Sequence, residues 1–243
     1  MNLVIDQGNT KAKIAIFDDR NELVVFEEVN HLTEEIICSL KERYGIHQCI
    51  LSTVKALPDS LISFLQQSFH PFVNLLPGVL LPVEIGYKTP QTLGCDRIAA
   101  VVGAAEQINN EAVIVVDAGT AITYDFMDEE RVFVGGNIAP GIHLRMRALN
   151  EFTGKLPYVT PDGELPLLGE STETAIRSGV VNGICFEIEG FIAKIKAEHP
   201  SVLVFLTGGD AIFLAEKLKY PIFVDKKLVL KGLNRILNYN VEK

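Results

Sequence analysis

"LVIDQGNTKAKIAIFDD", residues 3–19, is the stretch that decides the fold. Two apolar, strand-like runs flank a polar turn with an acid, a glycine, an amide, a hydroxyl and two lysines, a pattern that predicts a β-hairpin. "AVIVVDAGTAITYDFM", residues 112–127, repeats this pattern, because an apolar run again ends in Asp-x-Gly and a second strand follows. An acidic turn then precedes a third strand in both copies. The repeat favours a duplication into two lobes of similar build over two unrelated hairpins.

Helical and strand-like segments alternate through the rest of the chain. Residues 33–45 and 58–69 predict helices on either side of the strand CILSTV, and residues 171–199 predict a long helix. This alternation is typical of an α/β fold. We expect mixed sheets flanked by helices in two lobes, 1–110 and 111–243, with a cleft between them.

The composition is that of an ordinary globular protein: 48% of the 243 residues are apolar, 22% are charged and the formal net charge is −9. Because Lys and Arg are scattered, we expect no binding to nucleic acid or to an anionic membrane. The five His and four Cys residues have no zinc-ligand spacing, and the lack of CxxC pairs favours a reduced, cytoplasmic setting. We expect neither a membrane span nor a secretion signal.

The two Asp-x-Gly turns carry groups suited to a nucleotide. Gly8 lets the backbone approach a phosphate, and Lys11 and Lys13 share one face of a strand. Asp6 would repel phosphate and more reasonably orders a hydrated divalent cation carried by the nucleotide. The turn at Asp117 adds a carboxylate and a hydroxyl, so the two turns could hold a triphosphate from both sides. For each turn taken alone, a purely structural hairpin is the alternative. The sequence has no GxxxxGK[ST] and no GxGxxG motif, which disfavours phosphate binding of the P-loop and Rossmann kinds.

The segment YKTPQTLGCDRIAA, residues 87–100, places an aspartate and an arginine at the start of a predicted helix. Asp96 could accept a proton from an attacking alcohol while Arg97 holds an anionic group of the substrate. The structural alternative is that Asp96 caps the helix and Arg97 is a surface charge. Cys95 is interpreted as a small buried filler rather than a nucleophile, since no histidine lies near it in the sequence.

Two glycine-rich segments precede predicted helices in the second half of the chain. GGNIAPG, residues 135–141, predicts a tight loop that could form one side of a binding site for an anion or a substrate. LTGGDA, residues 206–211, predicts a strand-to-helix turn on which a flat base or ribose could lie. Ordinary connecting loops are the alternative for both.

Taken in order, five motifs resemble those of the type III pantothenate kinases. They are Asp6-x-Gly-Asn-Thr, Tyr87-x-x-Pro-x-x-x-Gly-x-Asp-Arg, Asp117-x-Gly-Thr, Gly135-Gly-x-Ile-x-Pro-Gly and Thr172-x-x-Ala-Ile. The resemblance extends from the first strand to the final helix. It implies the fold of the superfamily of sugar and acetate kinases, actin and chaperone ATPases, which is α/β with two duplicated actin-like (ribonuclease H-like) lobes.

The resemblance also implies phosphoryl transfer from ATP to the primary hydroxyl of pantothenate, the first step of coenzyme A biosynthesis. It implies Asp96 as the general base, Asp117 as a ligand of a potassium or ammonium ion, magnesium with the nucleotide, and a homodimer with the substrate site near the subunit interface. The residues implied to hold ATP are Asp6, Gln7, Gly8, Asn9, Thr10, Lys11, Ala12, Lys13 and Thr120. Those implied to contact pantothenate are Tyr87, Gly94, Cys95, Asp96, Arg97 and Thr172.

Two positions depart from the family's pattern. Gln7 stands where an apolar residue is expected, and Ser171 stands where Asn usually precedes Thr172. Neither removes a proposed catalytic group, although Ser171 could alter the fit of the substrate.

Two other functions compete with the kinase. The first is a transcription-linked regulator without turnover, resembling the Bvg accessory factor. The intact Asp96, Asp117 and Thr120 favour catalytic activity instead, and the acidic net charge gives no support to DNA binding. A phosphatase or nucleotide hydrolase of the same superfamily is the second. It would need an open water site in place of the segment from Tyr87 to Arg97.

Overall fold

The opening stretch forms the predicted hairpin. In the computed structural model, which describes residues 1–242, β1 (Asn2–Gln7) and β2 (Ala12–Phe17) pair antiparallel across the polar turn. All six residues of β1 are buried, as expected for a central strand covered on both faces.

The chain divides into two compact units, of which the first comprises Met1–Asn110, Arg131–Val134 and the residues from Lys227 onward. Its sheet has the order β3-β2-β1-β4-β5, with β1, β4 and β5 parallel and β2 antiparallel to both of its neighbours. Its further elements are β3 (Leu23–Val29), α1 (Glu34–Tyr44), β4 (Gln48–Thr53), α2 (Asp59–Ser68), β5 (Phe72–Asn74), β6 (Glu84–Ile85), α3 (Cys95–Ala105) and α7 (Leu228–Val241).

The second unit comprises Glu111–Glu130 and Gly135–Lys226. Its elements are β7 (Val113–Ala118), β8 (Ala121–Met127), most of β9 (Val132–Pro140), α4 (Ile142–Glu151), α5 (Thr172–Glu198), β10 (Leu203–Thr207), α6 (Ala211–Ala215) and β11 (Phe223–Val224). Its five strands have the order β9-β8-β7-β10-β11, which matches the order of the five strands of the first sheet, and β6 of the first unit extends this sheet as a sixth strand by pairing with Val132 and Phe133 of β9. The predicted α/β fold of two duplicated lobes is therefore confirmed.

The last helix lies in the first unit, whereas the sequence pattern predicts residues 111–243 as one lobe. The reason is close packing between α7 and α3. A Cβ atom on Gly232 would collide with the carbonyl of Ala99, and one on Gly103 would collide with the carbonyl of Leu228. Only glycine at both positions lets the two helix backbones approach this closely.

A network of asparagine amides also ties α7 to the first sheet. Asn2 on β1 donates to Asn234 and Asn238 over 2.7 and 2.8 Å, and both of these side chains donate to Asn21 over 2.9 and 2.6 Å. Asn234 is 3% exposed, so its side-chain hydrogen bonds are made away from water. The network fixes the end of the chain beside the opening strand.

The predicted loop over residues 135–141 is wrong for most of its length, because β9 continues to Pro140. Glycine and proline weaken a central strand but are tolerated where neighbouring pairing ends. Gly141 alone is the N-cap residue of α4.

We expect Gly232→Ala to lower the free energy of unfolding by about 3 kcal/mol, since the added methyl meets helix backbone that cannot move cheaply. Chemical denaturation measures this change. Gly190→Ala on α5 is the control, because its added Cβ would meet no atom within 4 Å beyond the neighbouring backbone of its own helix, and it should be neutral or stabilising by up to about 1 kcal/mol. Equal effects at the two positions would contradict the packing argument.

Candidate active site

Asp6 lies near the end of β1, in register with Lys13 on β2 and Ser52 on β4. Only 6% of its surface is exposed. Burial raises the pKa of the Asp6 carboxyl to about 6; Lys13 opposes the rise, the charge of Asp96 adds to it, and the hydroxyl of Ser52 opposes it. Two acids predicted for different roles, Asp6 and Asp96, are therefore electrostatic neighbours within the first unit.

The turn after Asp6 is held by backbone and amide hydrogen bonds. The Gly8 amide donates to the carbonyl of Lys11 over 3.0 Å, and the Gln7 side chain donates to the carbonyl of Gly8 over 2.9 Å. Gln7 is 2% exposed. The polar residue that departs from the family's pattern thus has its amide satisfied by the turn itself, while Asn9 and Thr10 are exposed.

Lys11 and Lys13 occupy different surroundings on the predicted common face. Lys11 is exposed and forms an ion pair with Glu28 over 3.1 Å. The hydrogen bond from Lys11 and the charges of both lysines lower the pKa of Glu28, as expected if the two lysines share that face. Lys13 is less exposed and faces Asp6, so it is the better placed of the two to act with the buried carboxylate.

Asp96 lies in the first turn of α3 but does not cap it. Gly94 is the N-cap residue, and the Asp96 carboxylate accepts a hydrogen bond from the amide of Arg97 over 2.8 Å. Its carboxylate therefore lies near the positive end of the helix dipole. The alternative in which Asp96 serves as the helix cap is therefore excluded.

Arg97 is 6% exposed and is not a surface charge. Its guanidinium lies 5.6 Å from the ring centre of Tyr87 and 5.8 Å from that of Phe133. The two rings pack edge to face at 6.2 Å. Tyr87 and Arg97 are thus brought together as the sequence predicted. Phe133 was missed, because no motif marks it and only the fold brings β9 to this segment.

Cys95 is half-buried and its thiol donates to the carbonyl of Leu75 over 2.9 Å. Burial raises the pKa of the thiol, and the charges of Asp96 and Asp6 raise it further. A thiol with a raised pKa is a poor nucleophile at neutral pH, which agrees with the interpretation of Cys95 as a filler.

In the second unit, Asp117 lies near the end of β7, in register with Thr207 on β10. Gly208 follows Thr207 with φ of +96°, and a Cβ atom there would collide with the carbonyl of Ala118 and the carboxylate of Asp117. The Asp210 amide donates to the carbonyl of Ala118 over 3.0 Å. The glycine turn over 206–211 therefore packs directly against the Asp117 turn.

The Thr120 turn is held from a second side. Gly119 donates its amide to the carbonyl of Ala121 over 3.0 Å, which closes the turn, and Gly141 donates its amide to the carbonyl of Thr120 over 3.0 Å. A Cβ atom on Gly141 would collide with the carbonyls of Gly119 and Thr120. The position of the Thr120 turn thus depends on the backbone at residues 140–141.

Asp210 is a half-buried acid beside this turn that the sequence analysis did not select. Burial raises the pKa of its carboxyl, and the charge of His143 opposes that rise. The segment LTGGDA was recognised for its glycines, and the side chain next to them could have been selected from the same signal.

Thr172 is the first residue of α5, and Ser171 is its N-cap. The Ser171 hydroxyl accepts from the Thr174 amide over 3.1 Å, and the Ser171 amide donates to the Thr174 hydroxyl over 3.0 Å. Asn and Ser cap helices equally well, so the departure at Ser171 preserves the start of α5. Thr172 lines an apolar groove between α4 and α5, with Leu144 and Phe152.

Two groups of predicted residues are therefore assembled, one within each unit. Asp6, Lys13, Asp96 and Arg97 lie in the first unit, and Asp117 and Thr120 lie in the second. In the described part of the chain, no three His, Cys, Asp or Glu side chains form a metal-binding cluster. Among the described residues, no helix is both long and apolar enough to cross a bilayer.

Comparison with known proteins connects these groups to one family. The family model described as type III pantothenate kinase matches residues 2–194. The chain is 48% identical to the type III pantothenate kinase of Phocaeicola vulgatus over 242 residues, with 99% of each chain covered. It is 47% identical to that of Bacteroides fragilis, with 99% of this chain and 98% of the relative covered.

Solved structures agree with the fold. A putative Baf family transcriptional activator from Campylobacter jejuni has a TM-score of 0.65 and 26% identity, with 99% of this chain and 100% of that chain covered. A putative 2-dehydro-3-deoxygalactonokinase from Sinorhizobium meliloti has a TM-score of 0.57 and 12% identity, with 98% and 99% covered, and shows the fold alone. The match to the family model and the full-length identity to its curated members lead to one conclusion: this chain belongs to the type III pantothenate kinase family.

Proposed function

We propose that the protein transfers the γ-phosphoryl group of ATP to the primary hydroxyl of pantothenate, giving 4′-phosphopantothenate and ADP at the start of coenzyme A biosynthesis. The observation that carries this assignment to particular residues is the placement of Asp96. Its carboxylate lies at the start of α3, next to the buried Arg97 and in electrostatic contact with Asp6. A carboxylate in this position can accept the proton of an attacking hydroxyl, and the neighbouring arginine adds positive charge to a site where phosphoryl transfer needs charge stabilisation.

In the proposed step the hydroxyl oxygen of pantothenate forms a bond to the γ-phosphorus while the bond from that phosphorus to the β-phosphate oxygen breaks. Asp96 accepts the hydroxyl proton. Phosphoryl transfer needs positioning and charge stabilisation rather than a reactive nucleophile on the protein. The unreactive Cys95 is compatible with that requirement.

For ATP we propose the turn over residues 6–13 and the Thr120 hydroxyl. Gly8 lets the backbone of this tight turn approach a phosphate, and Lys13 supplies a positive charge beside Asp6. For pantothenate we propose the surroundings of Arg97, because two aromatic rings position its guanidinium, and the planar fork of a guanidinium matches a carboxylate such as that of the substrate. Tyr87, Gly94, Cys95 and Thr172 are the other proposed contacts.

The donor groups fit the two kinds of cation that the family implies. Magnesium keeps several waters and needs only one or two carboxylates besides the nucleotide phosphates, which Asp6 can provide. Asp117 is the proposed ligand of a potassium or ammonium ion, because its carboxylate and the carbonyl of Ala118 both lie against Gly208, and oxygen atoms of this kind are the ligands of hard cations. Bound potassium would add positive charge near the phosphates.

We also propose a homodimer. The groove beside Thr172 is apolar, and Phe152 at its edge is 83% exposed, which is unusual for a large aromatic side chain. A second copy of the chain that covered this face would bring its own surface close to Thr172. Light scattering that gave the mass of one chain would refute the dimer. A cytoplasmic setting is supported by the four free cysteines.

The experiment is a phosphorylation assay of the purified protein with ATP, magnesium and pantothenate, in potassium buffer and in sodium buffer. We expect 4′-phosphopantothenate in both and a several-fold higher rate in potassium, with mass spectrometry identifying the product. Equal rates in the two buffers would refute the cation assigned to Asp117. No product under either condition would refute the kinase and favour the regulator, which the full-length relatives do not favour.

A further inference from the structure

We propose that Arg145, Glu187 and Tyr124 are positioning residues that hold the Thr120 turn in place for the nucleotide. The three side chains come from α4, α5 and β8 of the second unit, and no motif in the sequence marks them. The proposal rests on the proposed function, because it takes the Thr120 turn as a contact of ATP.

The three side chains form one chain of charge-assisted hydrogen bonds. The Tyr124 hydroxyl donates to Oε1 of Glu187 over 2.6 Å, and Nη2 of Arg145 donates to Oε2 of the same carboxylate over 2.8 Å. Both oxygens of Glu187 are thus engaged, one by a phenol that is 2% exposed and one by a guanidinium. Burial and the bond to Glu187 raise the pKa of Tyr124, so the phenol keeps its proton and remains a donor.

The same guanidinium also binds the backbone. Nε of Arg145 donates to the carbonyl of Pro140 over 2.7 Å. The next residue, Gly141, donates its amide to the carbonyl of Thr120 over 3.0 Å and packs without room for a Cβ atom. The hydrogen bonds therefore run from Tyr124 and Glu187 through Arg145 and the 140–141 backbone to the turn that carries Thr120.

Arginine is needed for this arrangement. Its Nε and Nη2 atoms donate in fixed directions from one planar group, so a single side chain can bind the Pro140 carbonyl and the Glu187 carboxylate at the same time. Lysine keeps the charge but has a single nitrogen, which cannot reproduce both directions. The Pro140 contact is made to backbone next to the Thr120 turn. Its loss should therefore weaken the binding of the nucleotide and leave the packing of α4 on α5 largely unchanged.

The test measures the KM for ATP and the KM for pantothenate in Arg145→Lys and Tyr124→Phe. We expect the KM for ATP to rise about tenfold in Arg145→Lys, corresponding to the loss of one good charge-assisted hydrogen bond, and less in Tyr124→Phe. The KM for pantothenate should change by less than about twofold. The control is Arg147→Lys on the same helix, because Arg147 pairs only at the surface with Glu151, over 3.2 Å, and neither KM should change.

A selective rise in the KM for ATP supports the proposal. An unchanged KM for ATP, an equal rise in both KM values, or the same effect in Arg147→Lys would overturn it, and Tyr124→Phe keeps the test open if Arg145→Lys does not fold. Calorimetric titration with magnesium and ATP compares nucleotide binding without turnover. A wild-type protein that binds ATP but forms no product would refute the proposed function and leave this inference to be judged by the binding data.

Discussion

Asp96→Asn is expected to lower kcat for pantothenate phosphorylation by about 10²–10⁴-fold, the range that general base catalysis contributes. The amide keeps the size and planarity of the carboxylate but cannot accept the proton of the attacking hydroxyl. The fold should tolerate the change. Gly94 rather than Asp96 caps α3, and the side-chain oxygen of asparagine can still accept the hydrogen bond of the Arg97 amide.

The matched control is Asp59→Asn, since Asp59 also lies in the first turn of a helix, α2, but is exposed. Activity and the free energy of unfolding should both stay near the wild-type values in that variant. Steady-state rates with both substrates saturating separate the loss of chemistry from a loss of binding. If Asp96→Asn kept more than about a tenth of the wild-type kcat, Asp96 would not be the general base.

The parts of the fold that the sequence predicted are those governed by local signals. The hairpins around Gly8 and Gly119 follow from apolar runs with a turn residue between them, which act over a few positions. Because the same signal occurs twice, the duplication was also predictable, and the strand orders of the two sheets confirm it. The membership of α7 in the first unit was not predictable, because it depends on Gly103 meeting Gly232 and on amides distant in sequence.

The candidate site shows the same division. Asp96 and Arg97 could be selected from their spacing, but the sequence also allowed a helix cap beside a surface charge. Only the structure excludes that alternative, because Gly94 is the N-cap residue and Arg97 is buried. Phe133 could not be predicted, because its contact with Arg97 depends on where β9 lies. The strand character of residues 135–140 was missed because glycine and proline carry turn signals that tertiary pairing overrode.

Asp6→Asn is expected to abolish most activity while it stabilises the protein without ligand above about pH 6. The pKa of Asp6 rises from 3.8 to about 6 on folding, so the folded state binds more protons than the unfolded state between these values. The wild-type free energy of unfolding therefore falls as the pH rises from about 4 to 6, and ionised Asp6 costs up to about 3 kcal/mol above that range. A neutral amide at this position avoids most of that cost.

Denaturation of both proteins between pH 3.5 and 8 measures the effect. The two stabilities should be similar at the acid end, and Asp6→Asn should be the more stable above pH 6, with a kcat at least about 10²-fold lower because the site loses its acid beside the phosphates. Asp19→Asn is the control, because the Asp19 side chain is 92% exposed and its ion pair with the amino terminus lies at the surface. A stability difference independent of pH would mean that the pKa of Asp6 is not raised on folding. A stabilised but inactive variant would mean that this acid is kept for its function at a cost to the fold.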